Sequence, residues 1–582
     1  MRFRQAGVTF FVHGPPGSEG SVPTLAGTLF LDANALHHDL EERSPAGGTV
    51  VVGGTVVVPS QPPTPAVRVS STPGIVSDEM LARPVISERE WRAAGVEIQT
   101  AEFVALGGGL GSFVLTDLLR CSGMSAQDIA VLGSDTAPMA RYDRLCANSQ
   151  IPRYERLRSN SDSCPDNPWG FPGYAFREGT RALAHGNLKL AADVFWKIFG
   201  EPAISQTYTP RLGDVVKSVD REAERIAWAS MLRLGRIRAI RKTEEGRLLA
   251  VLSQSSGTTR KHLAVSARAM HLAVGDPAIQ MLPDLAAYRE KNNDQQRVVN
   301  AYEQHDHVYE SLRKNGGVIL LRGRGIVASR LIQRLWEERK TNDKIQVIHL
   351  HRSKLTEGAR WGLARRKVEE QFEFQPFNWP KSSWGGEHNG ILEHASLEER
   401  KGLLDAWGGT TTANRTDWRR MVKEGVREGW YRPEFGVVED VSLTADGRVA
   451  TRIGGVLAGG GQLELKADWV VDCTGLVASP GRSPLLADLI STYSVPLGPT
   501  GRLAVTNAFE VQAMRHGDSR FYAAGAMTLG GPVSAVDSFL GLQIAASRAT
   551  KDMQSMDLRG LHDMNGFSSF AKWLKWARKA RP

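Results

Sequence analysis

Two stretches of this chain carry the same pattern of apolar and polar positions. In each, a short unbroken apolar run meets a turn crowded with glycine, and an apolar stripe at helical spacing follows. The first is AEFVALGGGLGSFVLT, residues 101–116. Phe103 to Leu106 predict a strand buried on both faces, Gly107, Gly109 and Gly111 form the turn, and Phe113 to Leu119 open a helix. The second is Asn315 to Ser353, where GGVILLRGRGIVASRLIQRLWEER reads as strand, Gly323-x-Gly325 turn and helix, and KIQVIHLHRS reads as the next strand. Further strands are expected at Ile129 to Asp135, in a meander over Arg238 to Val265, at Ala267 to Ile279, at Ala467 to Leu476 and at Phe521 to Gly525. Helices are expected at Arg181 to Phe199, Asp214 to Leu232 and Thr412 to Trp430. Met139 to Phe176 show neither period and predict an ordered loop region at the carboxyl ends of the strands. Trp361 to Gly390, irregular and rich in aromatics, predict a lid or substrate wall.

Strands alternating with helices predict an α/β chain with two Rossmann-like dinucleotide-binding domains. Ahead of them, TVVV-GG-TVVV at Thr49 to Val58 predicts a hairpin, and Pro59, Pro62, Pro63, Pro65 and Pro73 predict an extended linker, so the N-terminal extension is β-rich. The expected segments are 1–98 for extension and linker, 99–300 for the first part of the first domain, and 301–465 for the second domain with its insertion. The first domain then resumes over 466–555, and 556–582 form a basic amphipathic tail.

The turns carry chemistry. Glycine lets the backbone approach a pyrophosphate closely, and the helix start beyond it supplies unpaired N–H donors and a partial positive charge. Ser112 stands where a third glycine is usual and is small enough for the same close packing. Asp135, ending the next strand, suits ribose hydroxyls. The corresponding strand of the second turn ends instead in Arg352, with Lys354 beside it; these pair with a 2′-phosphate and favour NADPH over NADH.

Composition narrows the class. A 582-residue chain predicts two to four domains, and 41% hydrophobic with 23% charged residues excludes a disordered or fibrous protein. The formal charge of +9 is spread over 72 bases interspersed with 63 acids, which favours anionic cofactors and no nucleic-acid partner. Cys121, Cys146, Cys164 and Cys473 are scattered, giving neither a dithiol centre nor a metal site. The absence of any signal-peptide core or membrane-length apolar run leads to a cytoplasmic expectation.

RLRSNSD at Arg156 to Asp162, FPGY at Phe171 to Tyr174 and TYTPRLGDVVKSV at Thr207 to Val219, in this order, resemble the flavin-dependent monooxygenases that use both FAD and NADPH. That superfamily includes N-hydroxylating, S-oxidising and Baeyer–Villiger enzymes. The resemblance places Asn160 near the flavin as a hydrogen-bond donor to an oxygenated flavin. It sets Gly275, in Ala273-Val274-Gly275, beneath the cofactor, although the family's Thr is Val274 here. His305-x-x-x-Tyr309 resembles the tail of the family fingerprint, with Val299 and Ala301 at its Phe and Gly positions; His305 then couples the cofactor domains and positions the nicotinamide, or is a polar linker residue. Asp472-Cys473-Thr474-Gly475 resembles the strand end where the chain re-enters the cofactor domain. Gly525 and the segment Pro532, Val533 and Ser534 resemble the turn and helix start against the flavin ring.

The implied activity is oxygenation of a small-molecule heteroatom or ketone by O2 through a peroxyflavin. Two readings stay open beside it: an FAD-dependent reductase or dehydrogenase without oxygen insertion, and a non-catalytic scaffold or redox-sensing partner. The tail FSSFAKWLKWARKARP, residues 567–582, sets aromatics on one helical face with bases elsewhere, which suits a membrane surface, a protein partner, or packing on its own protein.

Overall fold

A computed structural model describes residues 2–5, 8–11, 74–157, 163–200, 208–256, 259–361, 364–375, 387–409, 411–413, 416–454, 461–477 and 479–582. The chain divides into two units, Met1–Ala66 and Val67–Pro582. In the first, Arg2–Gln5 pairs antiparallel with Val8–Phe11. The hairpin expected at Thr49 to Val58 and the proline-rich linker lie outside the described residues.

The second unit is built on two sheets. The first has β1 (Glu97–Leu106) at its centre, flanked in parallel by β2 (Ile129–Gly133) and β6 (Thr259–Leu272). Phe103, Val104, Ala105 and Leu106 of β1 are all fully buried, as an apolar run without alternation requires. Beyond β2 lies β3 (Leu232–Leu234), while β4 (Arg236–Thr243) and β5 (Leu248–Ser256) form an antiparallel meander onto β6. The second sheet is wholly parallel: β7 (Val298–Asn300), β11 (Trp469–Asp472), β8 (Gly317–Arg322), β9 (Ile345–His351) and β10 (Tyr431–Phe435), in that spatial order. Alternate residues of β8 feed different cores, Ile319 and Leu321 on one face and Leu320 on the other. The chain then returns to the first sheet as β12 (Arg520–Ala523), parallel to the end of β6.

Besides the helix Ala140–Asn148, the helices of the second unit include α1 (Leu110–Cys121), α2 (Gly173–Ala184), α3 (Leu188–Gly200), α4 (Leu212–Arg225), α5 (Ile326–Arg339), α6 (Phe539–Met553) and α7 (Gly566–Ala577). Several expectations need correction. The single helix expected over Arg181 to Phe199 is two, broken at His185 to Asn187, where Gly186 adopts φ 71°. The aperiodic stretch after Met139 contains a helix, Ala140–Asn148, in which Cys146 alone is fully buried, so no apolar stripe announced it. Of the strand expected at Ala267 to Ile279, Ala267 to Leu272 is the far end of β6, continuous from Thr259 because β5 and then β12 pair along its one edge, while Ala278–Ile279 is a separate short strand paired with Leu476–Val477. Finally, both Val298–Asn300 and Trp469–Asp472 belong to the second sheet. The crossing between the sheets therefore lies beyond residue 472 and not at 466, since three-residue and four-residue strands reveal no partner from local pattern alone.

His271 sits in β6 between Ala105 and Tyr522, fully enclosed, with no partner for Nδ1. Burial pushes its pKa down to about 3. The unfolded chain takes up a proton near pH 6.5 and the native state does not, so stability falls as pH drops below about 6.5. Between pH 6.5 and 5 this group alone removes about 2 kcal/mol. His271→Leu is expected to flatten that part of the stability profile, as urea unfolding at several pH values would show; an unchanged slope would contradict the assignment.

Candidate dinucleotide-binding and active site

Both glycine turns are built on one close contact. Gly107 has φ 114°, and a Cβ there would meet the Ala273 carbonyl oxygen at 2.5 Å. Gly323 has φ 118°, and a Cβ there would meet the Cys473 carbonyl oxygen at 2.6 Å. In each case the chain leaving a neighbouring parallel strand crosses directly over the turn. Gly111 is closed in by Ala273 Cβ at 2.8 Å, whereas Gly109 and Gly325, the N-cap residues of α1 and α5, face open space. Neither helix start has a side-chain cap. The first N–H groups of α1 and α5 therefore lack a side-chain acceptor beside room that a Cβ would begin to fill, the arrangement a pyrophosphate needs.

Around the first turn stand Ser112, fully buried with Oγ unpartnered, Gly275 at φ 69°, and Asp135. The backbone of Asp135 lies against Gly108, and its carboxylate is 3.5 Å from Arg144. Arg141, on the helix that the sequence pattern missed, donates to the Val274 carbonyl at 3.0 Å and also to that of Asp276. It thereby clamps the segment carrying Gly275. Asp276 is held above the usual carboxylate range by burial and next by the negative charge of Asp537, against which Arg141 and Arg502 act. Asp537 is exposed as a residue, yet desolvation of its carboxyl raises its pKa too, with Arg502 acting against it.

At the second turn, Thr474 and Gly475 come directly after the Cys473 carbonyl that covers Gly323, so they border the second site. Thr474 donates through both N and Oγ1 to Asp472 Oδ1, at 2.9 and 2.5 Å. Arg352 and Lys354 are exposed at the end of β9, with no carboxylate paired to either among the described residues; Lys354 lies over the Phe435 ring at 5.6 Å. Arg324, inside the glycine turn, donates to His351 Nδ1 at 3.2 Å and to the Ser353 carbonyl at 2.5 Å. His349 donates to the Gly323 carbonyl at 2.5 Å and accepts from Tyr431 at 2.8 Å. Burial lowers His349 to about 4 and, with His349 beside it, His351 to about 2. Both imidazoles are neutral at physiological pH, leaving Arg324, Arg352 and Lys354 as the cations at this mouth.

Gly525, at φ 83°, succeeds β12 and approaches Leu542 of α6, which also touches Gly111. Pro532, Val533 and Ser534 precede the helix and do not start it. The first residue of α6 is Phe539, capped by Ser538 through the Gly541 N–H, and Pro532 has no N–H to offer. Asn160 lies outside the described residues. On either side of 158–162, Arg156 pairs with Glu178 at 2.6 Å, and Gln543 of α6 donates to the Cys164 and Asn167 carbonyls at 3.0 and 3.1 Å. His305 is fully buried, donating to the Glu303 carbonyl at 2.8 Å and accepting from Tyr309 at 3.0 Å. With both nitrogens engaged and its pKa lowered by burial, it is no free acid or base. Its neighbours do the coupling: Asn148 donates to the Tyr302 carbonyl at 2.7 Å, and Gln150 to Asp306 at 3.0 Å. Sequence reasoning missed Arg141, Gln543 and Arg324; only the last carried a signal, its place inside the Gly-x-Gly.

No protein-family model matches the chain, and no curated protein matches it. Solved structures do, and they define the class of fold: two dinucleotide-binding domains as in flavoprotein N-hydroxylating monooxygenases. The reduced ornithine hydroxylase PvdA of Pseudomonas aeruginosa is 14% identical, with a TM-score of 0.55 over 78% of this chain and 99% of its own. FAD-bound DfoA, a cadaverine monooxygenase of Erwinia amylovora, is 11% identical, with a TM-score of 0.57 over 80% and 96%. The ornithine N-hydroxylase KtzI of Kutzneria sp. 744, solved with reduced FAD, NADP+ and L-ornithine, is 14% identical, with a TM-score of 0.54 over 78% and 99%.

The two kinds of glycine separate by experiment. Gly107→Ala is expected to cost more than about 1 kcal/mol of stability, because both φ and the Ala273 carbonyl oppose a Cβ. Gly109→Ala, in open space, is expected to stay within about 0.5 kcal/mol of the parent in urea unfolding while losing dinucleotide binding in titration calorimetry. Equal destabilisation of the two variants would contradict this division.

Proposed function

We propose that this chain is an NADPH-dependent flavin monooxygenase that transfers one atom of O2 to a small-molecule nucleophile, with an amine nitrogen as the acceptor to test first. The observation carrying this reading is the repeated turn: two uncapped helix starts, each with a carbonyl crossing its glycine, one followed by an acid and the other by unpaired bases. The solved structures with similar folds include enzymes named for ornithine and cadaverine, which is why an amine leads.

In this reading the start of α1 binds the FAD pyrophosphate, and Asp135 accepts from a ribose hydroxyl in exchange for Arg144. The start of α5 binds the NADPH pyrophosphate, while Arg352 and Lys354 hold the 2′-phosphate, aided by Arg324. Bound FAD supplies the redox chemistry. The chain's own residues orient and exclude water. Arg141 fixes the Gly275 segment, Gln543 holds the loop at Cys164 to Asn167, and Asp276 and Asp537 present carboxyl groups with raised pKa values at the cleft. Asn160 enters, on the resemblance, as an amide donor over the flavin, and His305 as a residue positioning the 302–306 contact between the domains. The balanced reaction converts NADPH, O2, a proton and the substrate to NADP+, water and the oxygenated product. Four free, buried cysteines suit a cytoplasmic setting.

The test begins with the absorption spectrum of the protein reconstituted with FAD, then anaerobic NADPH, then O2 with a panel of primary amines. Bleaching by NADPH and a product heavier by one oxygen atom are expected. Rapid NADPH oxidation yielding only hydrogen peroxide across the panel would instead indicate a reductase, and a protein taking up neither FAD nor NADPH would end the enzymatic reading. Arg352→Ala with Lys354→Ala is expected to raise KM for NADPH about tenfold or more, equivalent to at least about 1.4 kcal/mol, and to leave KM for NADH unchanged.

A further inference from the structure

We propose that α7 is an interfacial helix that seats this chain on an anionic lipid surface, independently of the reaction it catalyses. The helix uses one side to dock on its own protein. Trp576 Nε1 donates to the Asp166 carbonyl at 3.2 Å, Trp169 Nε1 donates to Ser569 at 3.0 Å, and the Trp573 ring lies 5.8 Å from that of Phe171. Ser569, Trp573 and Trp576 thus face inward. Away from that docked side an apolar strip stays open: Phe567 is 94% exposed and Phe570, stacked on Trp573 at 5.9 Å, is 59% exposed, with Ala571 exposed, Leu574 half-buried and Arg578 beside them.

Such exposure is costly in water, and the charge around it selects the occupant. Lys575, Arg578 and Lys579 are exposed on the helix and just beyond its end, and no acidic residue occurs after Asp563. An apolar strip rimmed by bases alone matches a surface with an apolar interior and negatively charged headgroups. The same basic rim on a second copy would repel it. Beside the strip, Trp169, Gly566, Ser569, Phe570 and Trp573 line a shallow, open hollow of about 350 Å3 that extends the apolar surface. No helix among the described residues is long and apolar enough to cross a membrane, so the contact is peripheral.

The docked side has a consequence. Trp576 and Trp573 hold Asp166 and Phe171, in the loop region whose carbonyls Gln543 of α6 also holds. Seating α7 on a bilayer therefore brings the loops beside the candidate active site to the lipid surface.

The test is co-sedimentation of the full chain with vesicles of phosphatidylcholine alone or with roughly 30% phosphatidylserine, at low and high salt. Sedimentation with the anionic vesicles is expected, about tenfold or more weaker with neutral vesicles or in high salt. Phe567→Glu with Phe570→Glu is expected to weaken it about tenfold or more, and Lys575→Glu with Arg578→Glu and Lys579→Glu to remove its salt dependence. All five positions are exposed, so far-ultraviolet circular dichroism should match the parent. No binding to anionic vesicles, or binding unaffected by both sets of substitutions, overturns the proposal. A dimer in solution that Phe567→Glu with Phe570→Glu converts to a monomer, without vesicle binding, replaces it with a second copy as the occupant.

Discussion

The molecule depends on a contact made twice, a backbone carbonyl pressed onto a glycine. Ala273 covers Gly107 and Cys473 covers Gly323 so closely that a single Cβ would collide with the oxygen. Each contact joins the end of one parallel strand to the turn leaving its neighbour, and so decides where the chain goes next. Both crossing segments then meet, because Ala278 and Ile279 pair antiparallel with Val477 and Leu476. A short ribbon thereby ties one turn to the other, and the Gln280 N–H bond to the Gly475 carbonyl at 3.3 Å continues it. The spacing of the two candidate dinucleotide sites is set by this backbone link and by the contacts of Asn148 and Gln150 with Tyr302 and Asp306.

Electrostatics distinguishes two candidate sites of the same shape. Both offer helix N–H groups and open space at the N-cap glycine, so neither shape nor the helix dipole distinguishes them. The distinction lies in the charged residues at the end of the next strand. Asp135 beside the first turn suits hydroxyl groups, while Arg324, Arg352 and Lys354 around the second suit a phosphate. Neutral His349 and His351 support that arrangement without adding charge: one ties the turn carbonyl to Tyr431, and the other receives the Arg324 side chain.

The two turns were legible because they rest on local rules. Apolar runs buried on both faces, glycines at positive φ and helix starts lacking a capping side chain each leave a mark within a few residues. The acid and base beyond them were legible for the same reason. What failed to show lay where identity is set by distant partners. The helix Ala140–Asn148 buries too little to display a period, yet it carries Arg141. The strand Trp469–Asp472 has the same apolar look whether it joins the first sheet or the second. His305 resembled a functional residue by spacing, and only its enclosure shows both nitrogens already spent on Glu303 and Tyr309.

The sequence by itself determined the two glycine turns with their uncapped helix starts, the acid and the bases that follow them, and an amphipathic last helix, since each arises from residue types at short spacing. The tertiary structure decided which carbonyl closes each turn, which sheet each short strand joins, and which face of α7 is left open. Those outcomes depend on packing between residues hundreds of positions apart, and no local pattern encodes which of several compatible partners will arrive.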